Sequence, residues 1–331
     1  YKGRPSPSKR SSIHHEVALG VLTMSKDITV AFSAFREEYP EWVLELLKSL
    51  KKQTVKDFEV TIIVNSNKGY FNKLLDTVKR KADTGYEINM VFNTVDKGIA
   101  HSRNIVLKHA KTPYIAYTDD DVIPHPCWLE ELLWAIKLSQ KVAAVTGPVL
   151  PRWEAGTKNY SLWFPKELYW TIGCTPWNIE KLTIVRNGFT SNLTVDRKIL
   201  FKIGGFNENF GYNPRSRMTG EDPELGIKLV RAGYITLWNP NAIVFHRISK
   251  ERLNTRDIIT RSFLEGKMKA HLSKLYGKNV LKLEANHLQS TLKSFVKKRS
   301  LKSKASLLLT TMAVLSGYLT YRTLCRVNKA N

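Results

Sequence analysis

The chain has 331 residues, of which 43% are apolar and 10% aromatic, and this composition excludes a fibrous or wholly disordered protein. Its 52 Lys and Arg against 29 Asp and Glu give a formal net charge of +23, which predicts an anionic partner: nucleic acid, anionic lipid or a phosphorylated substrate. Three widely spaced cysteines, Cys127, Cys174 and Cys325, favour free thiols in a reducing compartment over a disulfide framework.

The predicted elements begin after residues 1–23, a polar stretch rich in Ser, Pro and Lys that we expect to be a disordered extension. From there, short apolar runs alternate with amphipathic helical patterns. The apolar runs predict strands at 28–35, 58–65, 87–93, 114–118, 142–149 and 241–246. Helical patterns begin near residues 40, 70, 97 and 126. Alternation of this kind indicates parallel strands with crossover helices, and therefore an α/β sheet.

The C-terminal part of the chain has a basic, helical pattern. Residues 247–304 contain 16 Lys and Arg against 4 Asp and Glu, a net charge of +12. Residues 305–321 follow without any charge, and 17 residues is near the lower limit for a helix that crosses a bilayer. This segment could span a membrane, lie in its interface or be a buried helix. We therefore divide the chain into the extension, an α/β domain at 24–247 and a basic helical region at 248–331.

Three consecutive aspartates, Asp119, Asp120 and Asp121, directly follow the predicted strand at 114–118. Ligands of α/β sheets bind at the carboxyl ends of the strands, which is where these side chains fall. Adjacent carboxylates repel one another unless cations balance them, and Mg²⁺ or Mn²⁺ prefers such oxygen ligands. If the chain stays extended here, Asp119 and Asp121 point to the same side. A turn that caps the next helix would explain the same residues without a ligand.

A second acidic pair, Glu221 and Asp222, stands between Gly220 and a helical pattern that ends at Gly233. Carboxylates at the start of a helix cap it and complement its dipole, so this pair could be purely structural. Alternatively, one of the two accepts the proton of an attacking hydroxyl group, because a neutral hydroxyl is a poor nucleophile until its proton is removed.

These motifs, together with the stretch from Gly98 to Arg103 and Asn104, resemble the family-2 glycosyltransferases. In that family an Asp-x-Asp motif ends the fourth strand of a GT-A fold, and the order of segments agrees over most of residues 27–270. The resemblance implies a GT-A fold, with a mostly parallel sheet flanked by helices and a basic helical extension after it. It also implies a single inverting displacement that moves a sugar from a UDP-sugar to an acceptor hydroxyl, with Mn²⁺ or Mg²⁺ as cofactor.

The resemblance also implies roles for individual residues. The catalytic pair would be Asp222 as the base and Glu221 as its partner. The metal ligands would be Asp119, Asp121 and His246. The nucleotide-sugar contacts would come from Ser33, Asn65, Asp96, Arg103, Asp119 and Asp120. The acceptor contacts would come from Trp153, Arg186 and Asn187. Where the family usually has an aspartate for the nucleotide, this chain has Asn65, which forms hydrogen bonds but carries no charge.

A narrower resemblance concerns the acceptor and the donor sugar. It is carried by Trp128, Pro151 with Trp153, Arg186-Asn187, the Gly204–Glu208 turn and residues 261–270. These segments are similar to the archaeal glucosyl-dolichyl phosphate glucuronosyltransferases of protein N-glycosylation. The similarity implies a dolichyl-phosphate-linked glycan as acceptor, with glucuronic acid or a hexose as the sugar. It implies an enzyme at the cytoplasmic face of the cell membrane, held to anionic lipid peripherally or anchored by residues 305–321.

Three other functions compete with this hypothesis. A polysaccharide or surface-glycan acceptor agrees with the same motifs. Direct transfer to a polyprenyl phosphate is disfavoured, because that acceptor is already anionic and needs no base such as Asp222. A nucleic-acid-binding protein is disfavoured because the basic excess lies outside the α/β core and no nucleic-acid module is apparent in the sequence.

Overall fold

The computed structural model describes residues 26–65, 67–82, 84–212, 219–297 and 300–330 of the chain. The extension predicted at 1–23 lies outside these residues. The strands are β1 (Ile28–Ser33), β2 (Phe58–Asn65), β3 (Glu87–Asn93), β4 (Tyr114–Thr118), β5 (Val122–Pro124), β6 (Val142–Thr146), β7 (Val149–Trp153), β8 (Thr183–Val185), β9 (Asn192–Asp196), β10 (Ile235–Trp238) and β11 (Val244–Ile248).

The α-helices are α1 (Pro40–Lys51), α2 (Lys68–Lys81), α3 (Ile99–His109), α4 (Trp128–Ile136), α5 (Arg197–Lys202), α6 (Glu221–Arg231), α7 (Thr255–Tyr276), α8 (Lys282–Lys297) and α9 (Leu301–Ala330). Short 3₁₀ helices lie at Lys158–Leu162, Lys166–Ile172, Glu251–Leu253 and Lys278–Leu281. Among the residues that the structure describes, no helix is both long enough and apolar enough to cross a membrane.

The main sheet has the strand order β3-β2-β1-β4-β9-β6-β10-β8. Strands β1 to β4 run parallel to one another, as do β6 and β10, while β9 and β8 run antiparallel to their neighbours. The prediction of a mostly parallel α/β sheet is therefore confirmed. Strand β9 was missed because polar residues interrupt its short apolar pattern. One of them, Asn192, is fully buried and is satisfied by Trp128 Nε1, which donates to its Oδ1 at 2.7 Å.

Residues 142–149, predicted as one strand, are divided between two sheets. Strand β6 belongs to the main sheet, and β7 belongs to a small sheet with the order β5-β11-β7. The break falls at Gly147, where an added Cβ would lie 2.2 Å from the carbonyl oxygen of Ala242, so only glycine fits. In the small sheet, β11 pairs antiparallel with β5 and places His246 opposite Val122. This pairing brings the chain after the triple aspartate beside the last predicted metal ligand.

Helices cover both faces of the main sheet, as side-chain alternation along its strands requires. In β1, Val30 and Phe32 point into the larger core with α1, α2 and α4, whereas Ala31 points into the second core with α3, α5 and α6. Both faces of the sheet are therefore buried, and in this fold class a ligand binds at the carboxyl ends of the strands.

The basic C-terminal helices pack onto the α/β domain. Met268 of α7 joins a small core with Phe210 and with Ile227 of α6. Helix α9 lies directly against α7, because a Cβ at Gly266 would be 1.9 Å from the backbone oxygen of Val314. Helix α7 therefore lies between α6 and the middle of α9, while the beginning of α9 contacts the α/β domain directly through Ser303 and Leu307.

Candidate active site

The carboxyl ends of β1 to β4 lie side by side and carry four of the residues predicted for the donor. Ser33 ends β1, Asn65 ends β2, Asp96 follows β3 and Asp119 follows β4. The structure brings these four residues to one edge of the parallel sheet, which is the usual ligand-binding edge of this fold class.

Two of these side chains already have partners in the protein. The amide nitrogen of Asn65 donates to Ser102 Oγ at 2.9 Å, and its oxygen accepts from Asn93 Nδ2 at 2.8 Å. Asp96 Oδ1 accepts from the backbone N–H of Gly98 at 2.8 Å, in the turn that begins α3. Asn65 therefore joins β2 to β3 and α3, a structural role that the sequence pattern did not separate from nucleotide binding.

The triple aspartate forms a turn. The backbone N–H of Val122 donates to the carbonyl oxygen of Asp119 at 3.2 Å, which closes a β-turn between β4 and β5. The chain is therefore not extended at Asp119 and Asp121, which was the condition for expecting the two side chains on one side. Because the chain reverses here, the three aspartates have different sets of partners, although Asp120 and Asp121 share Arg36.

Asp120 points back toward the loop that follows β1. Its Oδ2 accepts from the backbone N–H of Phe35 at 3.0 Å, and its Oδ1 accepts from Arg36 Nη1 at 2.9 Å. Burial raises the pKa of Asp120 to about 7, although Arg36 opposes the shift. Asp120 thus fixes the conformation of the β1 loop, next to Ser33.

Asp121 is the most heavily paired of the three carboxylates. Its Oδ2 lies 3.1 Å from His246 Nε2, 3.1 Å from Arg252 Nη2 and 2.7 Å from Arg36 Nη1. Burial alone would raise the pKa of Asp121, but His246, Arg252 and Arg36 together hold it well below its usual range. Asp121 therefore stays ionised.

The side of the His246 ring that faces away from Asp121 packs against other residues of the protein. Cys174 Sγ lies 3.9 Å from Nδ1, and Gly173, with φ of +77°, allows the chain to pass the ring. A Cβ at Gly173 would lie 2.9 Å from His246 Cε1. Burial raises the pKa of Cys174, a free thiol, so a neutral group faces His246. The imidazole is thereby held with Nε2 toward Asp121.

Asp121 Oδ2 and His246 Nε2 contact each other at 3.1 Å, and both groups are electrostatic neighbours of the Asp119 carboxylate. Carboxylate oxygens are the ligand type that suits Mn²⁺ or Mg²⁺, so the chemistry of the aspartates fits such an ion although their present spacing does not. No group of three or more His, Cys, Asp and Glu side chains in the described ranges is close enough together to hold a metal ion. Arg36 and Arg252 instead balance the charge of Asp121.

Arg103 joins the triple aspartate to the second acidic pair. Its Nη1 donates to Glu221 Oε1 at 2.9 Å and lies 3.9 Å from Asp222 Oδ1, while Nη2 lies 3.8 Å from Asp119 Oδ1. Although burial lowers the pKa of Arg103, these three carboxylates raise it overall, so the group remains a cation. A single buried guanidinium therefore holds the two acidic motifs at one place.

The two carboxylates of the second pair have different surroundings. Both oxygens of Glu221 accept hydrogen bonds, Oε1 from Arg103 and Oε2 from the Gly220 N–H at 3.1 Å. Asp222 Oδ2 accepts from the Thr190 N–H at 3.1 Å, but its buried Oδ1 has no hydrogen-bond partner in the described part of the chain. Burial and the neighbouring Glu221 raise the pKa of Asp222 to about 7.

Arg186 and Asn187, predicted for the acceptor, lie against helix α6, which begins with the acidic pair. Gly226 makes this possible, since a Cβ there would lie 2.3 Å from the backbone oxygen of Arg186. The Arg186 guanidinium donates to Asn187 Oδ1 at 2.7 Å and to Glu284 of α8 at 2.5 Å. These contacts tie the loop before Thr190, and so the Asp222 hydrogen bond, to α6 and α8.

Trp153, the third acceptor candidate, ends β7 in the small sheet, beside the strand that carries His246. Its ring packs edge-on against Tyr169, with centroids 6.3 Å apart, at the margin of the larger core. This packing role could not be distinguished from sugar stacking on the sequence alone, because tryptophan serves both.

Sequence reasoning missed two residues of the site, Arg36 and Arg252. Both contact Asp121. A signal for Arg36 was present, because buried carboxylates need nearby cations and Arg36 closely follows a strand that ends at the same sheet edge. Arg252 carried no such signal, since it is one of 16 cations in residues 247–304.

Comparison with known proteins gives a consistent result. Residues 29–205 match the family model Glycosyl transferase family 2. The chain is 28% identical over 253 residues to the glucosyl-dolichyl phosphate glucuronosyltransferase of Haloferax volcanii, in an alignment that covers 75% of this chain and 78% of that protein.

Two solved structures show the same fold. The mannosyltransferase PcManGT from Pyrobaculum calidifontis, in complex with GDP-Man and Mn²⁺, superposes with a TM-score of 0.56 and 20% identity, covering 91% of this chain and 84% of that one. S. aureus TarS 1–349, in complex with UDP-GlcNAc, superposes with a TM-score of 0.54 and 13% identity, covering 88% and 81%. The chain therefore has the predicted GT-A fold.

Proposed function

The chain belongs to glycosyl transferase family 2, and on that basis we propose that it transfers a sugar from a nucleotide-sugar donor to a hydroxyl group of a lipid-linked glycan. The relative from Haloferax volcanii is named for transfer to a glucosyl-dolichyl phosphate, which supports an acceptor of that class. The family-2 motif residues at 119–121 and 221–222, which Arg103 joins, support the same reaction.

The observation that carries the proposal is Asp222 Oδ1, a buried oxygen that has no hydrogen-bond partner among the described residues and lies 3.9 Å from Arg103 Nη1. A buried carboxylate oxygen without a donor is costly, and a substrate hydroxyl would supply the missing donor. In the proposed step the acceptor hydroxyl attacks the anomeric carbon, the bond from that carbon to the nucleotide diphosphate breaks, and the diphosphate leaves with the electron pair. The hydroxyl proton passes to Asp222 Oδ1. Attack from the face opposite the leaving group inverts the anomeric configuration.

Glu221 is the less suitable base, because both of its oxygens already accept hydrogen bonds. We propose that it positions Arg103, which in turn lies between the donor aspartate Asp119 and the base. Ser33, Asn65, Asp96 and Asp120 stay our candidates for nucleotide-sugar contacts along the same edge.

We propose that Asp119, Asp121 and His246 hold Mn²⁺ or Mg²⁺, because carboxylate oxygens suit these ions. The ion would supply positive charge to the leaving diphosphate. A structural neighbour was solved with Mn²⁺, which supports the choice of a divalent cation. Arg36 and Arg252 contact the same Asp121 oxygen. With the ion bound to that oxygen, both guanidinium groups would lose this contact and would be available to bind the donor phosphates.

The acceptor is proposed to approach Asp222 past Arg186 and Asn187, with Trp153 as a further contact. A lipid-linked acceptor lies in a membrane, so we propose that the protein works at the cytoplasmic face of the cell membrane. The net charge of +12 in residues 247–304 supports attachment to anionic lipid there.

The experiment that tests the function is a transfer assay with a panel of UDP- and GDP-sugars, Mn²⁺ and three acceptors. The acceptors are glucosyl-dolichyl phosphate, unglycosylated dolichyl phosphate and a soluble oligosaccharide, and mass spectrometry identifies the products. We expect a sugar to be added to the glycosylated lipid from a UDP-sugar. Transfer to the unglycosylated lipid alone would contradict the proposal, and so would donor use without any glycosylated lipid product.

The pH dependence of sugar transfer should follow the ionisation of the proposed base, Asp222. Asp222 accepts a proton only when ionised, and its pKa is raised to about 7. We therefore expect kcat/KM to rise about tenfold per unit below about pH 7 and to level off above it. The residual activity of Asp222→Asn should lack this rise. This result would distinguish Asp222 from Asp120, whose pKa is also raised to about 7. A wild-type profile that is flat between about pH 5.5 and 8 would contradict the assignment.

A further inference from the structure

Helix α9 is apolar on two opposite sides. One side, with Leu307, Thr310, Ala313 and Gly317 buried, packs against α7. The opposite side carries an outer stripe, defined by residues that follow one another at spacings of seven, four, three and four: Leu301, Leu308, Met312, Leu315 and Leu319. Such spacings put the five side chains on one face of a helix.

The outer stripe is open to solvent. Its side chains are between 46% and 81% exposed, and residues 301 to 319 extend along about 27 Å of helix. A surface helix of a water-soluble domain normally has polar residues on its outer side. A continuous apolar stripe in this position indicates a surface that contacts a membrane or another protein.

The charges around the outer stripe indicate what covers it. Helix α9 contains no Asp or Glu, and its basic residues lie near its two ends. Lys304 and Arg322 are separated by about five helical turns, so they lie along the same side, at one edge of the stripe. An apolar face with cations at its margin is complementary to the interface of an anionic bilayer, where acyl chains meet phosphate groups.

We propose that α9 lies flat in the interface of an anionic membrane, with the outer stripe inserted among the acyl chains and Lys304 and Arg322 at the headgroups. This inference rests on the proposed function for its purpose, which is to bring the enzyme to a lipid-linked acceptor. A second copy of the chain is the less suitable occupant. Two α9 helices packed together would bring like charges close, and α9 has no acidic residue to balance them.

Helix α7 links this surface to the proposed base. On one side, Gly266 and Gly317 let the backbones of α7 and α9 touch. On the other side, Met268 packs against Gly220, where a Cβ would lie 2.4 Å from Met268 Cγ. Tyr276 donates to Glu224 of α6 at 2.5 Å. One helix, α7, therefore separates α9 from the start of α6, where Asp222 lies, and its thickness would set the depth of the site relative to the bilayer.

The test measures binding of the full chain to sedimented vesicles of phosphatidylglycerol and phosphatidylcholine. The stripe variant carries four charge-neutral substitutions: Leu308→Gln, Met312→Gln, Leu315→Gln and Leu319→Gln. The matched control carries four at similarly exposed positions of the α/β domain: Trp134→Gln, Leu138→Gln, Phe201→Gln and Val230→Gln. We expect the stripe variant to lose about 100-fold in partition coefficient or more, and the control to bind like the wild type.

A milder double variant, Leu315→Gln with Leu319→Gln, should lose about tenfold and guards against misfolding of the fourfold variant. Transfer to a soluble acceptor should be unchanged in all variants. A failed proposed function shows as absent wild-type transfer to glucosyl-dolichyl phosphate, while the vesicle result still decides the role of α9. Equal vesicle binding by wild type and stripe variant would overturn the proposal. So would a wild-type dimer in light scattering that the stripe variant does not form, because a second copy then covers the stripe.

Discussion

Replacing Asp222 by Asn is expected to lower kcat for sugar transfer by about 10²–10⁴-fold, the usual loss when general-base assistance is removed. The asparagine has nearly the same shape, and its oxygen can still accept the Thr190 N–H bond that Asp222 accepts at 3.1 Å. Arg103 keeps its hydrogen bond to Glu221. We therefore expect the affinity for the nucleotide-sugar, measured by calorimetry, to change by less than about threefold.

Two variants serve as controls for this prediction. Glu221→Gln should lose less activity, because its role is to position Arg103, and Asp76→Asn on the exposed side of α2 should behave like the wild type. If Glu221→Gln loses kcat and Asp222→Asn does not, the roles of the two carboxylates are reversed. If affinity and turnover fall together in Asp222→Asn, Asp222 belongs to the donor site or to the fold.

Removing divalent cations is expected to abolish transfer, and Mn²⁺ or Mg²⁺ should restore it. Positive charge at a leaving diphosphate contributes several kcal/mol, and each 1.36 kcal/mol is tenfold in rate, so we expect a loss of about 100-fold or more. Asp121→Asn should show a similar loss. It should also bind Mn²⁺ more weakly in titrations followed by electron paramagnetic resonance, which report binding independently of turnover.

The control for the metal prediction is Asp27→Asn, which removes an exposed carboxylate that pairs with Lys137 at the surface. It should leave Mn²⁺ binding and transfer unchanged. Full turnover in excess chelator would remove the metal from the proposed mechanism. Arg36 and Arg252 would then be the permanent counter-ions of Asp121, and their substitution by Gln should cause the large loss instead.

The parallel part of the sheet was predictable from local pattern. Strands β1 to β4 are short runs rich in apolar residues and separated by amphipathic helices, and that pattern depends only on neighbouring residues. The position of the triple aspartate after β4 followed directly, because the end of a strand can be read from the chain. The family resemblance added the fold name and is confirmed by the comparisons.

Other elements were not predictable because their cause lies elsewhere in the chain. Strand β9 contains Asn192, whose burial is tolerable only because Trp128, Pro148 and Ala242 supply its hydrogen bonds. The break at Gly147 is set by the approach of Ala242, which is far away in sequence. The local sequence pattern gives no information on either contact. For this reason the pattern at 142–149 predicts a single strand.

The sequence by itself determined which chemical groups the protein has: three aspartates after a strand, an acidic pair at a helix start and an uncharged segment at 305–321. Only the tertiary structure decided how they meet. Pairing of β11 with β5 sets His246 beside Asp121, and Arg103 joins Asp119 to Glu221 across the sheet edge. The outer stripe of α9 likewise faces outward only because α7 covers the other side of that helix. Each of these contacts joins residues far apart in sequence, and such contacts depend on packing of the whole chain.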